Sequence, residues 1–423
     1  MRTVRGAERG DRRRCASVRR RFPRSWHVED ELIIVQHNML LAWPDDFQLT
    51  ENPIPILVQL GLTYRCNLKC THCYALYRRS RDEFTLTEIE SLADQLYDAG
   101  SASLVYSHGE NMIRRDFHDA ATIFRDRDFY QTLMLNGFYV RTPDDAARLV
   151  QSGINRTMVS IDSIDPTVHD KVRGKSGAFD VAVRALRLLK DAGIPTVGFS
   201  TTIDTHNYGQ VERIAEFARD LGIDAVSFMQ NRYNLTNVFD RALWPTYQAV
   251  CRTLYQLILD NQGVLDVYTH DPFMLTVLDD RLTDRRARET FIGSNLCNVA
   301  TSMVSIDPIG NVSGCNFIEE SIGNVRDEPF QQIWDRLVNR YSDRIESPSG
   351  PCGSCSALGP CMGGCKAFHY NGKYDERCGE QRFVDQESHQ IGTSDKPIPV
   401  SAPGRAPGVF VGLPRVRVSE ETR

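Results

Sequence analysis

The amino-acid sequence predicts an α/β protein with a parallel sheet, followed by a small cysteine-rich unit. Two observations support this prediction. Between residues 56 and 229, six apolar runs suited to buried strands alternate with five amphipathic helical stretches. Ten of the twelve cysteines fall into spaced clusters, one directly after the first predicted strand and one in the last third of the chain. Strands that alternate with helices favour parallel pairing with right-handed crossovers.

The predicted strands are short apolar segments, and the predicted helices carry an apolar stripe at helical spacing. The strands are 56–63, 103–107, 131–135, 156–161, 196–202 and 225–229. The helices are 87–99, 116–125, 143–152, 178–192 and 208–221. Glycines follow several of these helices, as C-cap glycines do. Because parallel sheets of this kind place their sites at the carboxyl ends of the strands, we expect functional residues directly after each strand.

Composition limits the possible classes of protein. The chain has 423 residues, 41% of them hydrophobic, and a net charge of −5. It contains no run of 18 apolar residues, and its N-terminus has no apolar segment typical of a secretion signal. We therefore expect a cytoplasmic protein with no membrane partner. Since disulfides are rare in that compartment, clustered cysteines are interpreted first as metal ligands.

The first cluster follows the first predicted strand. Cys66, Cys70 and Cys73 provide three thiolates within eight residues. Three thiolates can hold three irons of a [4Fe–4S] cube and leave the fourth iron open to a chelating substrate. Zinc is the alternative, although structural zinc sites have four protein ligands.

The spacing Cys66-x3-Cys70-x2-Cys73, followed by Tyr74, resembles the signature of the radical S-adenosylmethionine (SAM) superfamily. The resemblance implies a partial (β/α)6 TIM-type barrel. It also implies that the amino and carboxylate groups of SAM chelate the open iron. Reductive cleavage of SAM then yields a 5′-deoxyadenosyl radical, which abstracts a hydrogen atom from the substrate. A flavodoxin- or ferredoxin-type protein is the implied electron donor.

Further motifs of this superfamily recur in order along the chain. His108-Gly109-Glu110 stands where the family usually has Gly-Gly-Glu, and Glu110 is the implied partner of the SAM amino group. Ser160 and Asp162 resemble the Ser-x-Asp that meets the SAM ribose or carboxylate, and Arg173 follows as an implied partner of the carboxylate. Tyr74 and Gly109 complete the expected SAM contacts. His108 departs from the pattern. Either it is accommodated by the loop without a function, or it faces the substrate as a proton donor.

The C-terminal cysteines have the spacing of the SPASM domain, which extends many radical SAM enzymes and binds two auxiliary iron–sulfur clusters. Gly310 is expected to turn a hairpin between 303–306 and 312–315. The resemblance implies an inner cluster held by Cys297, Cys315 and Cys365. It implies an outer cluster held by Cys352, Cys355, Cys361 and Cys378. Three [4Fe–4S] clusters are therefore expected in all, with two zinc knuckles as the alternative for the second set.

The motifs predict five regions along the chain. They are an N-terminal extension (1–45), a radical SAM partial barrel (46–245), a helical linker (246–290), a SPASM domain (291–380) and a flexible tail (381–423). Residues 1–25 contain ten arginines and no strand or helix period, so we expect them to be disordered. A basic arm for nucleic acid is the alternative interpretation, and no nucleic-acid partner is expected.

Three functions are compatible with the sequence. We expect first an enzyme that epimerises or dehydrogenates a secondary metabolite such as a sugar-containing antibiotic. Maturation of a ribosomally made peptide, by crosslinking, epimerisation or oxidation, is the second possibility. A non-catalytic iron–sulfur electron-transfer or scaffold protein is the third. Epimerisation requires a hydrogen donor for the substrate radical, and Cys251, outside both motifs, is the candidate donor. Alternatively, Cys251 is a small buried hydrophobic residue on a helix, with no role in catalysis.

Overall fold

A computed structural model describes residues 53–75, 78, 82–231, 244–272, 274, 297–346, 363–370 and 374–375. The strands are β1 Leu57–Gly61, β2 Ser103–Ser107, β3 Tyr130–Leu135, β4 Ile154–Ser160, β5 Thr196–Ile203, β6 Ala225–Gln230, β7 Asp266–Thr269, β8 Met303–Ile306, β9 Asn311–Ser313, β10 Gly323–Asn324, β11 His369–Tyr370 and β12 Tyr374–Asp375. The N-terminal extension and the flexible tail expected from the sequence lie outside the described residues.

The α-helices lie between these strands and after them. They are α1 Leu86–Asp98, α2 Phe117–Arg125, α3 Pro143–Gln151, α4 Pro166–Arg173, α5 Ala178–Asp191, α6 Val211–Asp220, α7 Trp244–Asp260 and α8 Phe330–Glu346. Two of them begin at capping boxes, in which a threonine and an acidic side chain each satisfy the other's backbone amide. Thr85 with Glu88 caps α1, and Thr142 with Asp145 caps α3.

Strands β1 to β7 pair in sequence order, and every one of these pairs is parallel. On the other side of β1, β8 is also parallel, and it continues antiparallel into β9 and β10. Within the described residues this sheet is open, with β10 and β7 at its edges. The predicted fold class is therefore confirmed, as a parallel barrel that does not close.

The side chains of each strand alternate between two faces of the sheet, as the period of two requires. One face packs under the helices and is apolar; Val58, Leu60, Leu104 and Tyr106 lie there with no exposed surface. The other face lines an internal cavity and carries polar side chains such as Gln59. Burial of the first face supplies the hydrophobic stabilisation. The second face is left free for a ligand.

Three features differ from the sequence prediction. Helix α4 was not predicted, because its eight residues carry few apolar side chains. Strand β7 lies within the segment expected to be a helical linker and pairs with β6, so that segment contributes to the barrel sheet. Strand β8 of the predicted hairpin pairs with β1 and joins the same sheet. The hairpin itself is confirmed, and Gly310 has a φ of 92°, which favours glycine.

Arg326, which follows β10, holds the β8–β10 unit against α1. Its Nε donates to Glu88 Oε1 at 2.8 Å, its Nη1 donates to Asp82 Oδ2 at 3.0 Å, and its guanidinium lies 5.1 Å from the centre of the Phe84 ring. The side chain is 21% exposed. Arg340 makes a comparable ion pair with Glu320 at 3.3 Å, but its side chain is 53% exposed.

We predict that Arg326→Ala lowers the free energy of unfolding by about 2 kcal/mol, because charge-assisted hydrogen bonds across the interface are lost. The matched variant Arg340→Ala is expected to lose less than about 1 kcal/mol, as exposed ion pairs do. Urea denaturation of both variants measures the difference. Equal losses in the two variants would show that Arg326 does not hold the interface.

Candidate active site

A cavity of about 520 Å³ opens at the carboxyl ends of the parallel strands, where the topology predicts a site. Most residues singled out from the sequence line this one cavity. They are Cys66, Cys70, Cys73, Tyr74, Gly109, Glu110, Ser160, Arg173, Cys297, Cys315 and Cys365. The folded chain thus brings the first cysteine cluster and part of the second to the same space.

The loop that follows β1, residues 62–75, carries the first three cysteines and is named the cysteine loop below. Cys66 is exposed, Cys73 is half-buried and Cys70 is 8% exposed. Although Cys66 is exposed as a residue, partial desolvation of its thiol raises the pKa of that group, and burial raises the pKa of Cys73 to about 11. The Cys73 thiol is therefore protonated at neutral pH, and binding a metal would release its proton. Three soft donors on one loop fit three irons of a [4Fe–4S] cluster.

The carboxyl end of α4 packs directly on the cysteine loop. Thr71 N donates to Val172 O at 2.9 Å, and Arg173 Nη1 lies 3.7 Å from Cys70 Sγ. Gly174 ends α4 with a φ of 67°, and a Cβ added there would lie 2.7 Å from Lys69 O. Only glycine allows the helix end to approach the loop backbone this closely.

Gly109 and Glu110 form the second part of the site, just after β2. A Cβ on Gly109 would lie 2.6 Å from Thr63 O, so the absent side chain lets this segment lie against the cysteine loop. Glu110 is 3% exposed, and its Oε2 accepts from Asn136 N at 2.8 Å. Its Oε1 has no hydrogen-bond partner among the described residues. Burial raises the pKa of Glu110 to about 7, against the opposing effect of backbone donors. A cationic ligand group would satisfy this oxygen.

His108 precedes Gly109 and has a φ of 73°, which is uncommon for a residue other than glycine. Its Nδ1 lies 3.1 Å from Ser107 Oγ, and its backbone N donates to Tyr74 Oη at 2.8 Å. A Cβ on Gly61 would lie 2.6 Å from His108 Nδ1, so Gly61 makes room for the ring. Burial lowers the pKa of His108 to about 4. The imidazole is therefore neutral at physiological pH.

Ser160, Asp162 and Arg173 lie on the next side of the cavity. Ser160 ends β4 and lines the cavity, whereas Asp162 is fully buried behind Arg173, with its Oδ2 2.7 Å from Arg173 Nε. Burial alone would raise the pKa of Asp162, but Arg173, His72 and His169 hold it below its usual value. Asp162 thus acts on Arg173 in this structure and does not itself face the cavity.

Cys297, Cys315 and Cys365 also line the cavity and are named the auxiliary cysteines below. The segment after Cys315 contacts the barrel, because Asn316 N donates to Gln59 Oε1 at 3.1 Å. The Phe317 ring lies 4.7 Å from the ring of Tyr74 in the cysteine loop. Cys352, Cys355, Cys361 and Cys378 lie outside the described residues.

Comparison with known proteins agrees with this geometry. A profile of the radical SAM superfamily matches residues 60–218, and a profile of the SPASM iron–sulfur cluster-binding domain matches residues 297–356. The mycofactocin maturase MftC of Mycolicibacterium smegmatis is 30% identical over 323 residues, which cover 75% of this chain and 79% of that protein. The chain belongs to the radical SAM superfamily, in its SPASM branch.

Other relatives differ in their named activity. An AdoMet-dependent heme synthase of Nitratidesulfovibrio vulgaris is 27% identical and covers 78% of this chain and 92% of that protein. The fold is similar to that of Streptococcus suis SuiB bound to SAM, with a TM-score of 0.63 and 17% identity over 77% of this chain and 78% of SuiB. The cofactors of this radical SAM enzyme are therefore SAM, a catalytic [4Fe–4S] cluster and auxiliary clusters, as the sequence predicted. Within the described residues, no helix is long and apolar enough to span a membrane.

Cys251 lies away from the site of this radical SAM enzyme. It is 2% exposed on α7 within the main hydrophobic core, and it is not among the residues that line the cavity. This position is the one expected for a packed hydrophobic residue.

Sequence reasoning did not single out several residues of the cavity. His72, inside the cysteine motif, is half-buried, and its Nε2 lies 4.0 Å from Asp162 Oδ2. Loss of hydration lowers the pKa of His72 to about 4. Its position between Cys70 and Cys73 could have identified it as a site residue from the sequence. Arg156, Tyr268 and His270 also line the cavity, and Arg156 Nη2 donates to Tyr268 Oη at 3.0 Å. Two of these three lie on or just after β7, which carried no clear strand pattern.

We predict that Gly174→Ala destabilises the protein by about 2 kcal/mol more than Gly177→Ala, because its Cβ would overlap Lys69 O. Gly177 is a matched control, since it also has a positive φ, of 76°, but a Cβ there would meet nothing within 4 Å. Each variant carries a backbone cost of about 1–2 kcal/mol for the left-handed conformation. Chemical denaturation of the metal-free variants measures the difference. Equal unfolding free energies in the two variants would show that the cysteine loop can move away from α4 without a cost in stability.

Proposed function

We propose that this chain is a radical SAM oxidoreductase that oxidises a peptide substrate. The 5′-deoxyadenosyl radical would take one hydrogen atom, and the substrate radical would then lose one electron to an auxiliary cluster and one proton to solvent. The observation that carries this proposal is the shared cavity: the cysteine loop and the auxiliary cysteines line the same space. A substrate held between them contacts both sets of residues. A scaffold protein without radical chemistry would not require the buried Glu110 oxygen or the Arg173 contact beside it.

In this proposal Cys66, Cys70 and Cys73 hold the catalytic cluster, and Glu110 Oε1 accepts from the ammonium of SAM. Ser160 and Arg173 bind polar groups of SAM from the other side, and Asp162 orients Arg173. When bound, the cluster supplies the electron that cleaves SAM to the 5′-deoxyadenosyl radical. Gly109 lets the segment that carries Glu110 lie against the cysteine loop, because a Cβ there would overlap Thr63 O.

Cys297, Cys315 and Cys365 are proposed ligands of an inner auxiliary cluster. Cys352, Cys355, Cys361 and Cys378 are proposed ligands of an outer one. A cytoplasmic location and a flavodoxin- or ferredoxin-type electron donor belong to the same proposal, since the clusters require a reducing partner. The expected division into barrel, linker and SPASM domain is retained, with β7 assigned to the barrel sheet.

A peptide is the favoured substrate because MftC is named a mycofactocin maturase and SuiB has been solved with its precursor peptide SuiA. A tetrapyrrole is the second candidate, because heme synthases match this chain over 92% of their length. The sugar-containing antibiotic expected from the sequence has no support from these named relatives. Oxidation is favoured over epimerisation because Cys251 lies in the core.

Deletion of the gene from its native host tests the substrate class. Peptide and tetrapyrrole fractions of the deletion strain and the complemented strain are compared by mass spectrometry. We expect a peptide that is lighter by two hydrogens in the complemented strain only. A tetrapyrrole with that mass difference, or an isomer of unchanged mass, would contradict the proposal.

Replacement of Cys66, Cys70 and Cys73 by alanine tests the catalytic cluster. We predict roughly eight irons per chain in place of roughly twelve, because one four-iron cluster is lost. Formation of 5′-deoxyadenosine from SAM under dithionite should be abolished. Iron analysis and chromatography of the anaerobic protein provide the measurement. A triple variant that still cleaves SAM would refute the assignment.

Cys251→Ala separates the two interpretations of Cys251. We predict unchanged iron content and SAM cleavage, with a loss of about 1 kcal/mol in stability from the small cavity. A deletion strain complemented with this variant should make the wild-type product, because the thiol does not reach the substrate. Cys251→Ser serves as the control that keeps the volume. Loss of the product with full SAM cleavage would identify Cys251 as the hydrogen donor.

A further inference from the structure

The end of α4 contacts the cysteine loop on both sides of Cys70. The backbone of Thr71 bonds to Val172, and Gly174 allows close approach to the Lys69 carbonyl. Arg173, between these two points, reaches Cys70 Sγ with its Nη1 at 3.7 Å. Because the backbone is attached on either side, the guanidinium has little freedom to move away from this sulfur.

A buried carboxylate forms a close ion pair with that guanidinium. Arg173 is 8% exposed, and its Nε lies 2.7 Å from Asp162 Oδ2. Asp162 is itself fixed, because its Oδ1 accepts from Thr202 N at 3.0 Å and its backbone N donates to His169 Nδ1 at 3.1 Å. With one edge of the guanidinium turned to Asp162, Nη1 points to the sulfur.

The Arg173 side chain stays charged in this environment. A guanidinium is protonated throughout the physiological pH range, even when it is buried. Hydrogen bonds to cluster sulfurs and nearby positive charge favour the reduced, more negative state of an iron–sulfur cluster. A fixed cationic donor at a ligand sulfur therefore makes reduction easier.

We propose that Arg173 is a positioning residue that donates a hydrogen bond to the Cys70 sulfur and raises the reduction potential of the catalytic cluster, with Asp162 as its anchor. This inference rests on the proposed assignment of Cys66, Cys70 and Cys73 as cluster ligands. It adds to the SAM contact expected of Arg173, since the sulfur contact exists before SAM binds. The same side chain would then contact both a ligand of the cluster that donates the electron and the SAM molecule that accepts it.

The test is a redox titration of the full, cluster-loaded chain, followed by electron paramagnetic resonance and carried out without SAM. Because SAM is absent, the loss of a contact between Arg173 and the SAM carboxylate cannot affect the measured potential. The catalytic cluster is identified as the signal that is absent in the triple alanine variant of Cys66, Cys70 and Cys73. If that variant loses no signal, the proposed function fails; the inference on Arg173 is judged only after this step.

Arg173→Gln is expected to shift the reduction equilibrium about tenfold against the reduced cluster, which corresponds to about 59 mV for one electron. Arg173→Lys, which keeps the charge, is expected to recover part of this shift. Arg127→Gln is the matched control, because it removes a cation that pairs with Asp94 on the outer helices. It should leave the potential unchanged. An unchanged potential in Arg173→Gln at full iron content would overturn the inference.

A measurement on the wild-type chain keeps the inference testable if the Arg173 variants lose the cluster. The protein is prepared with ¹⁵N-labelled arginine, and the reduced catalytic signal is examined for nitrogen hyperfine coupling by pulsed spectroscopy. If the Arg173 guanidinium is hydrogen-bonded to the ligand sulfur, the labelled protein should show a ¹⁵N coupling. The same protein with unlabelled arginine should show a ¹⁴N coupling in its place. Absence of any arginine coupling would refute the hydrogen bond.

Discussion

The pairing of β1 with β8 determines how the two cysteine sets meet. Strand β1 leads directly into the cysteine loop, and β8 and β9 lead to Cys315. Strand β8 is hydrogen-bonded in parallel to β1, and β9 returns antiparallel beside β8. The segment at Cys315 therefore lies alongside β1, whereas the cysteine loop leaves from the carboxyl end of that strand. The contact of Tyr74 with Phe317 and the bond from Asn316 to Gln59 follow from this arrangement. A single cavity between the two cysteine sets is its consequence.

The parts of the fold with local signals could be predicted from the sequence. The first six strands lie within two residues of the predicted bounds, because each presents one apolar face to the helices. Helix α4 and strand β7 were missed for opposite reasons. The helix is short and polar, and it is stable here because Asp165 caps its N-terminus and its other end lies on the cysteine loop. Strand β7 has only four residues and is defined by its pairing with β6.

The candidate site was predictable in its residue types but not in its contacts. The motifs indicated Glu110, Asp162 and Arg173 as separate partners of SAM. The structure instead buries Asp162 behind Arg173 and turns Arg173 toward Cys70. No sequence spacing encodes such a contact, because it depends on where α4 ends relative to a loop about a hundred residues earlier. His72 was within reach of sequence reasoning, since it lies between two cysteines that were recognised.

The position of β8 beside β1 also bears on how the chain avoids self-association. Without the β8–β10 unit, β1 would present a row of unpaired amide and carbonyl groups along its whole length. Such an edge, in a strand as apolar as Leu57–Gly61, is a template for pairing with another chain. The β8–β10 unit therefore covers an edge of the kind that promotes aggregation when it is exposed. A boundary drawn between barrel and SPASM domain divides the sequence, but it cuts through one hydrogen-bonded sheet.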